Sequence, residues 1–402
     1  MDWIRTWNTF QAYCDLLLRR TRPRAYPLEL SLGTGSYCNL RCIMCPREDH
    51  EGNQMPFNQP VRTDYFQGLA PYLRRANEVS LYGLGEPFLD RDYFKKVEFI
   101  RSFGTEVILS TNGVLMDEER RRDILRTGLR GLGISLDAVT EETYSIIRPP
   151  GGFDRIVGNL KALVALRNER HSQRPLIALS FAMMRQNLHE VPAFPELVKS
   201  IGADEAIIHT SLYMSHAMKE RIEPDTELQR KAVAKTIENA RKLNVKVTYW
   251  NLDPMTYLRS LEYTGADSVP QQAGASYYCH HLWRNAMLQG EGELFPCCYM
   301  TNHRVGTLAE GDLRMLRQKP FMAELRQLHF EGRIPGPCRN CPQLIPYDRG
   351  QLLREAWSEI RSAWKHPQSG ETDNQRGETP IEDAPVAGCG GQDTNSGPVN
   401  AL

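Results

Sequence analysis

The stretch Leu28–Cys45, LELSLGTGSYCNLRCIMC, sets a short strand-like run, LELSL, directly before a loop that carries Cys38, Cys42 and Cys45. At the spacing C-x3-C-x2-C one loop can fold three thiolates around a single centre. The number three is informative. An iron-sulfur cube has four irons, so three cysteines leave one iron open to something other than protein. A structural zinc ion would want a fourth local ligand, and only Asp49 and His50 stand near.

Outward from this stretch, similar short runs recur: EVSLYG (78–83), EVILST (106–111), GLGISLD (131–137), LIALSFAM (176–183) and EAIIHT (205–210). Helical periodicity fills the intervals, as in residues 91–103 and 153–170. Six β-α units in series imply a parallel sheet with helices outside, either an open doubly wound sheet or a complete or partial barrel. In each of these, chemistry belongs at the C-terminal ends of the strands.

The flanks read differently. Within residues 1–26, Trp3, Trp7, Phe10, Cys14 and Leu17 recur at helical spacing and lead into the basic run Arg19, Arg20, Arg22, Arg24. This amphipathic helix either packs on the main domain or lies on a membrane surface. Beyond residue 250 the β-α alternation gives way to Cys, Gly and Pro, as expected of a small domain over 251–345 tied by metal. One more helix is expected within 346–366. The tail 367–402 has almost no large apolar residue and is expected to be disordered, leaving Cys389 an exposed thiol.

The three-cysteine loop after the first strand resembles the radical S-adenosylmethionine (SAM) superfamily. Gly83-Leu84-Gly85-Glu86-Pro87 resembles that family's GGEP motif, Ser110-Thr111-Asn112-Gly113 its TNG turn, and Ile134-Ser135-Leu136-Asp137-Ala138 its fourth-strand motif. The resemblance implies a partial (β/α)6 TIM-like barrel, α/β in class, with a 4Fe-4S cluster on Cys38, Cys42 and Cys45. It also implies SAM chelated to the open iron and cleaved to a 5′-deoxyadenosyl radical. Gly83, Gly85, Glu86, Thr111, Asn112, Ser135 and Asp137 are carried over as SAM contacts. As plain chemistry, strand-end hydroxyls and a carboxylate can equally cap the helices that follow. Met44 stands where the family often has an aromatic residue, which keeps the contact apolar without ring stacking. Arg148, in TYSIIRPPGGFD, reads either as a carboxylate binder or as a solvated loop residue.

Cys279, Cys297, Cys338 and Cys341 form a second constellation, with twelve residues to Gly292, four more to Cys297, and a C-x2-C pair at the end. It resembles the auxiliary-cluster domain called SPASM, in a shortened one-cluster form related to the twitch domain. This implies a second 4Fe-4S cluster on those four cysteines. Structural zinc is the alternative for the same donors. Cys298 reads as a neighbour in the cluster's surroundings, or as an alternative ligand or hydrogen-atom donor. The small domain is expected to cover the barrel mouth.

Lys plus Arg and Asp plus Glu each total 49, so no net charge steers the chain to nucleic acid or anionic lipid. The apolar stretch Pro175 to Met184 is far short of a transmembrane span, and the N-terminus lacks a secretory pattern; the expected setting is the cytoplasm, where clustered cysteines read as metal ligands. A radical enzyme there would draw electrons from flavodoxin or ferredoxin. Only about 26 residues precede the first strand, too few for a folded leader-recognition unit. That favours oxidation or epimerisation of a small molecule, such as a sugar or aminocyclitol, over modification of a peptide. A non-catalytic iron-sulfur electron carrier would need neither the open iron nor the strand-end motifs.

Overall fold

The computed structural model describes residues 2–45, 47, 61–83, 85–263, 268–270, 275–339, 341 and 343–365. Asp49, His50, Leu84, Cys389 and the tail 367–402 lie outside these residues. The described residues form one compact unit.

Seven strands follow one another in the chain and lie side by side in the same order: β1 (Glu29–Gly33), β2 (Glu78–Tyr82), β3 (Glu106–Thr111), β4 (Gly131–Ser135), β5 (Leu176–Met183), β6 (Glu205–Thr210) and β7 (Val247–Trp250). All are parallel. A doubly wound sheet reverses direction beside its first strand, whereas this order runs one way as in a barrel. Apolar side chains explain it: Leu30, Leu32, Val79, Leu81, Val107, Leu109, Leu132, Ile134, Ile177, Leu179 and Ile208 are buried together in one core. The runs read at 106–111, 176–183 and 205–210 match β3, β5 and β6 residue for residue. Strand β7, VTYW, was not among the expected six; it is short and half-exposed, so its apolar signal is weak.

The remaining strands are β8 (Ser268–Pro270), β9 (Tyr277–Cys279), β10 (Asn285–Gln289), β11 (Glu293–Phe295), β12 (Gly306–Thr307), β13 (Arg333–Pro335) and β14 (Leu344–Pro346). The main sheet continues past β1: β10 pairs parallel with it, and β11 and β12 add antiparallel, giving the order β12-β11-β10-β1 to β7. Among the described residues β12 and β7 are its edges, so the barrel is partial. Two small ladders, β13 with β8 and β14 with β9, complete the C-terminal part.

The N-terminal helix α1 (Trp3–Leu17) docks on the core with the face opposite to the one its pattern suggests. Trp3, Trp7 and Phe10 are 63%, 58% and 46% exposed, while Arg5, Asn8, Thr9, Tyr13 and Asp15 are buried. Polar anchoring is the reason. Arg5 donates to the carbonyls of Gly104 (2.9 Å) and Phe103 (2.8 Å), and Asn8 Nδ2 to those of Tyr26 and Arg75 (both 3.2 Å). Asp15 accepts from Arg20 (2.9 Å) and from the amides of Arg24 (2.7 Å) and Ala25 (2.8 Å). Satisfied buried hydrogen bonds of this kind override a hydrophobic stripe. No helix among the described residues is long and apolar enough to cross a membrane.

Candidate active site: two cysteine groups on one sheet

The first site collects at the C-terminal ends of β1 to β4. The loop leaving β1 carries Cys38, Cys42 and Cys45, and each thiol has one N–H donor: Leu40 N to Cys38 Sγ (3.5 Å), Arg148 Nη1 to Cys42 Sγ (3.6 Å) and Arg47 Nε to Cys45 Sγ (3.4 Å). Burial pushes the Cys38 thiol up and the Cys42 thiol to about 11. The loop is strapped to the segment after β4 by Arg41 N to Pro149 O (3.1 Å) and Ile43 N to Ile147 O (3.0 Å). Ile43 and Met44 pack against the apolar cluster of Ile147, Met184, Tyr213 and Met218.

Behind the loop, glycine is required twice. A Cβ at Gly83 would lie 2.6 Å from the Gly35 carbonyl, and one at Gly85 would fall on the Tyr37 backbone. The segment Thr34–Tyr37 therefore presses directly on the end of β2, with Glu86 N donating to Tyr37 O at 2.7 Å. The close approach that these glycines permit is to the chain itself, and it fixes where Cys38 begins.

Glu86 is buried, and its carboxylate accepts from Thr111 Oγ1 (2.5 Å), Asn112 N (2.8 Å) and Phe88 N (3.2 Å). Burial raises its pKa above the ordinary carboxylate range, although these donors pull the other way. Asn112 Nδ2 reaches Asn39 Oδ1 at 2.9 Å, joining the end of β3 to the cysteine loop. Glu86, Thr111 and Asn112 thus form one connected cradle. Ser135 is half-buried at the end of β4, in register with Ser180.

Asp137, at the end of β4, also has partners within the chain. It is buried in the left-handed backbone region (φ 62°). One carboxylate oxygen accepts from Ala182 N (2.7 Å), and the other from both Arg148 Nε (2.8 Å) and Nη2. The Asp137 carbonyl accepts from Asn187 Nδ2 at 2.8 Å. Burial opposes the Arg148 charge, but Asp137 and the Cys42 thiol more than offset it, and its pKa lies above normal. Asp137 therefore acts on the sulfur group through Arg148. Of the two readings open for Arg148 in the sequence, the carboxylate binder holds, with Asp137 as the carboxylate, while Arg47 was not singled out there.

The second site gathers at the other edge of the sheet. By register, Glu29 pairs with Asn285 and Met287 with Phe295, so Cys279, before β10, and Cys297, after β11, stand toward the edge where β1 begins. The cysteine loop leaves where β1 ends. Nothing in this register puts the four cysteines over the barrel mouth, because the hairpin β10-β11 turns its cysteine-bearing ends away from it. Cys279 pairs with Leu344 across β9 and β14, and Leu344 N donates to Cys341 O (2.9 Å), which draws Cys341 and Cys338 alongside.

Burial pushes the Cys297 thiol well up, and Cys298, Cys338, Cys279 and Cys341 all add to it electrostatically, so the group is gathered. None of the nine described cysteines is in a disulfide. Among the described residues no three His, Cys, Asp or Glu side chains are placed to share a single metal ion. Cys298 is exposed, yet the surrounding protein pushes its thiol up to about 12. His280 Nε2 pairs with Glu29 Oε1 (2.8 Å), and burial lowers His281 to about 4.

Both donor sets fit iron-sulfur centres. Thiols that burial and one another make costly to ionise become stable thiolates against a soft, positively charged metal centre, and N–H donors to sulfur support that state.

Comparison with known proteins agrees. Residues 33–181 match the Radical SAM superfamily, and residues 279–342 match SPASM, an iron-sulfur cluster-binding domain. Among curated proteins, the chain is 27% identical over 214 residues to Fe-coproporphyrin III synthase of Methanosarcina barkeri, covering 52% of this chain and 50% of that one. It is 28% identical over 182 residues to a probable GTP 3′,8-cyclase of Methanocaldococcus jannaschii, covering 44% and 57%. The chain thus spans about half the length of the curated relatives it matches. Among solved structures, Streptococcus suis SuiB bound to precursor peptide SuiA shares the fold at TM-score 0.58 and 14% identity, covering 75% of this chain and 67% of that one. Native anSMEcpe with bound AdoMet and Cp18Cys peptide does so at TM-score 0.53 and 16% identity, covering 84% and 98%. On its sulfur-bearing loop, its strand order and these matches, the chain belongs to the radical SAM superfamily and carries a C-terminal SPASM iron-sulfur domain.

Proposed function

We propose that the chain is a radical SAM oxidoreductase that removes a hydrogen atom from a small molecule and completes a two-electron oxidation of it. The reading places a 4Fe-4S cluster on Cys38, Cys42 and Cys45, one further 4Fe-4S cluster on Cys279, Cys297, Cys338 and Cys341, and SAM against Gly83, Gly85, Glu86, Thr111, Asn112, Ser135 and Asp137. It takes residues 27–250 as the radical core and 251–345 as the auxiliary domain. When bound, these groups supply a 5′-deoxyadenosyl radical at the first site and an electron acceptor at the second.

The observation that carries the reading is the arrangement at the ends of β1 to β4, where three thiols, each with its own N–H donor, face a buried carboxylate cradle. Arg148 holds positive charge beside Cys42, Glu86 locks the β3 turn, and Asn112 fixes the cysteine loop against that turn. Small molecules are favoured as substrates because the names of both curated relatives denote action on small molecules. Oxidation is favoured over epimerisation because Cys298, the candidate hydrogen donor, follows Cys297 at the sheet edge away from the radical site. β1 and β10 lie side by side between the two edges, about 13 Å along the strand.

Anaerobic reconstitution with iron and sulfide, then incubation with SAM and dithionite, should release 5′-deoxyadenosine and methionine. Protein that binds iron yet releases neither sinks the reading. With candidate substrates in deuterated solvent, loss of two hydrogens supports oxidation, whereas uptake of one solvent deuterium establishes epimerisation instead.

A further inference from the structure

Two guanidiniums bonded to the helical turn that follows Cys279 carry charge that no ion pair among the described residues neutralises. Arg317 and Arg326 are fully buried, and among the described residues neither has a carboxylate within hydrogen-bonding reach. Their hydrogen bonds go to backbone carbonyls. Arg326 donates from Nε to Leu282 (2.9 Å) and from Nη1 to Arg317 (2.7 Å), Thr21 (2.8 Å) and Met322 (3.3 Å). Arg317 donates from Nη1 to Ala25 (3.2 Å) and from Nη2 to Trp283. Arg326 Nη2 and Arg317 Nε are left with no hydrogen-bond partner.

A guanidinium stays protonated in proteins, so both charges are real, and buried charge persists where opposite charge answers it. The carboxylate that acts on both is Asp15, which Arg20 and two backbone amides already hold. The other opposing group is Cys279, whose thiolate Arg326 favours. The carbonyls gripped by the two arginines, Leu282 and Trp283, belong to the helical turn His280–Arg284 that begins at Cys279, and Trp283 also lies under the Arg326 guanidinium at 5.8 Å. The arginines are therefore tied to the same turn as a cluster ligand. Reduction of a thiolate-bound cluster adds negative charge, and a fixed cation nearby in a low-dielectric interior favours the reduced form.

We propose that Arg326, backed by Arg317, sets the reduction potential of the four-cysteine centre, raising it so that the centre takes up an electron. This rests on the reading above, that those cysteines bind one iron-sulfur cluster.

The test is a redox titration of the reconstituted full chain followed by electron paramagnetic resonance. Arg326→Met should weaken reduction of the second cluster about tenfold, a fall of about 59 mV. Arg304→Met, at an exposed arginine paired with Glu293 at 3.0 Å, should change nothing. If Arg326→Met does not fold, Arg317→Met is the substitute, with an expected fall of about threefold. A second cluster titrating alike in the parent and in the Met variants overturns this inference alone. A parent chain holding only about four irons, instead of about eight, overturns the two-cluster reading and this inference with it.

Discussion

Replacing Arg148 by Met should both unsettle the fold and impair the radical site. The guanidinium bonds one Asp137 oxygen through Nε at 2.8 Å and through Nη2, and reaches Cys42 Sγ at 3.6 Å. Without it, the Asp137 carboxylate, 1% exposed, keeps only the Ala182 amide. Removing one partner of a buried pair costs about 3–5 kcal/mol, because the survivor's charge stays buried. In a chain of this size that corresponds to a fall in Tm of about 4–6 °C. Asp137→Asn should cost less, about 2 kcal/mol, since the amide still accepts a hydrogen bond and Asn tolerates the left-handed backbone. Once either partner is gone the other adds little, so the double variant should be more stable than the sum of the single effects by at least about 1.5 kcal/mol. The assay is denaturant unfolding of all four proteins, with iron content and 5′-deoxyadenosine release measured alongside. Single effects that add within about 0.5 kcal/mol would falsify the coupling, and an Arg148→Met protein with parental turnover would remove Cys42 from its influence.

Gly85→Ala forces a Cβ onto the Tyr37 backbone, so it should cost about 1–3 kcal/mol and lower iron loading at the first site, read by metal analysis and thermal melting. Replacing Cys38, Cys42 and Cys45 together by Ala should leave about half the iron and abolish 5′-deoxyadenosine release; undiminished iron would contradict the assignment. On α1, Trp7→Ser should change stability by no more than about 0.5 kcal/mol, whereas Asp15→Ala should cost about 3 kcal/mol or more, the reverse of what an inward apolar stripe requires. Glu29 is held down at about 2: burial opposes the charge, but His280 and Arg284 overcome it. Its contribution is full above the unfolded value near 4.5 and is lost as pH falls toward 2, up to about 3 kcal/mol, and Glu29→Gln should flatten the acid limb of a stability profile.

Much of this was legible in the sequence because the relevant signals are local. The β3, β5 and β6 runs bury alternate positions, most of them apolar, and that period of two marks a strand. The cysteine loop could be read from spacing within eight residues. What escaped is non-local. Arg148 becomes part of the site only because the chain after β4 straps the cysteine loop, and Asp137 spends its oxygens on Arg148 and Ala182. The orientation of α1 could not be read, because its anchors, Arg5, Asn8 and Asp15, bond to carbonyls and amides that no sequence pattern marks. The sidedness of the second group follows from the pairing of β10 with β1, and strand pairing over such a separation is invisible to periodicity.

That pairing also has a practical corollary. If electrons travel from one end of the barrel to the other, the ladder Glu29–Asn285 through Leu32–Leu288 offers them a hydrogen-bonded route, with Leu30, Leu32, Ala286 and Leu288 buried along it. Throughput could then be throttled from the middle of that ladder, at positions that touch neither terminal, leaving both terminals intact for spectroscopy.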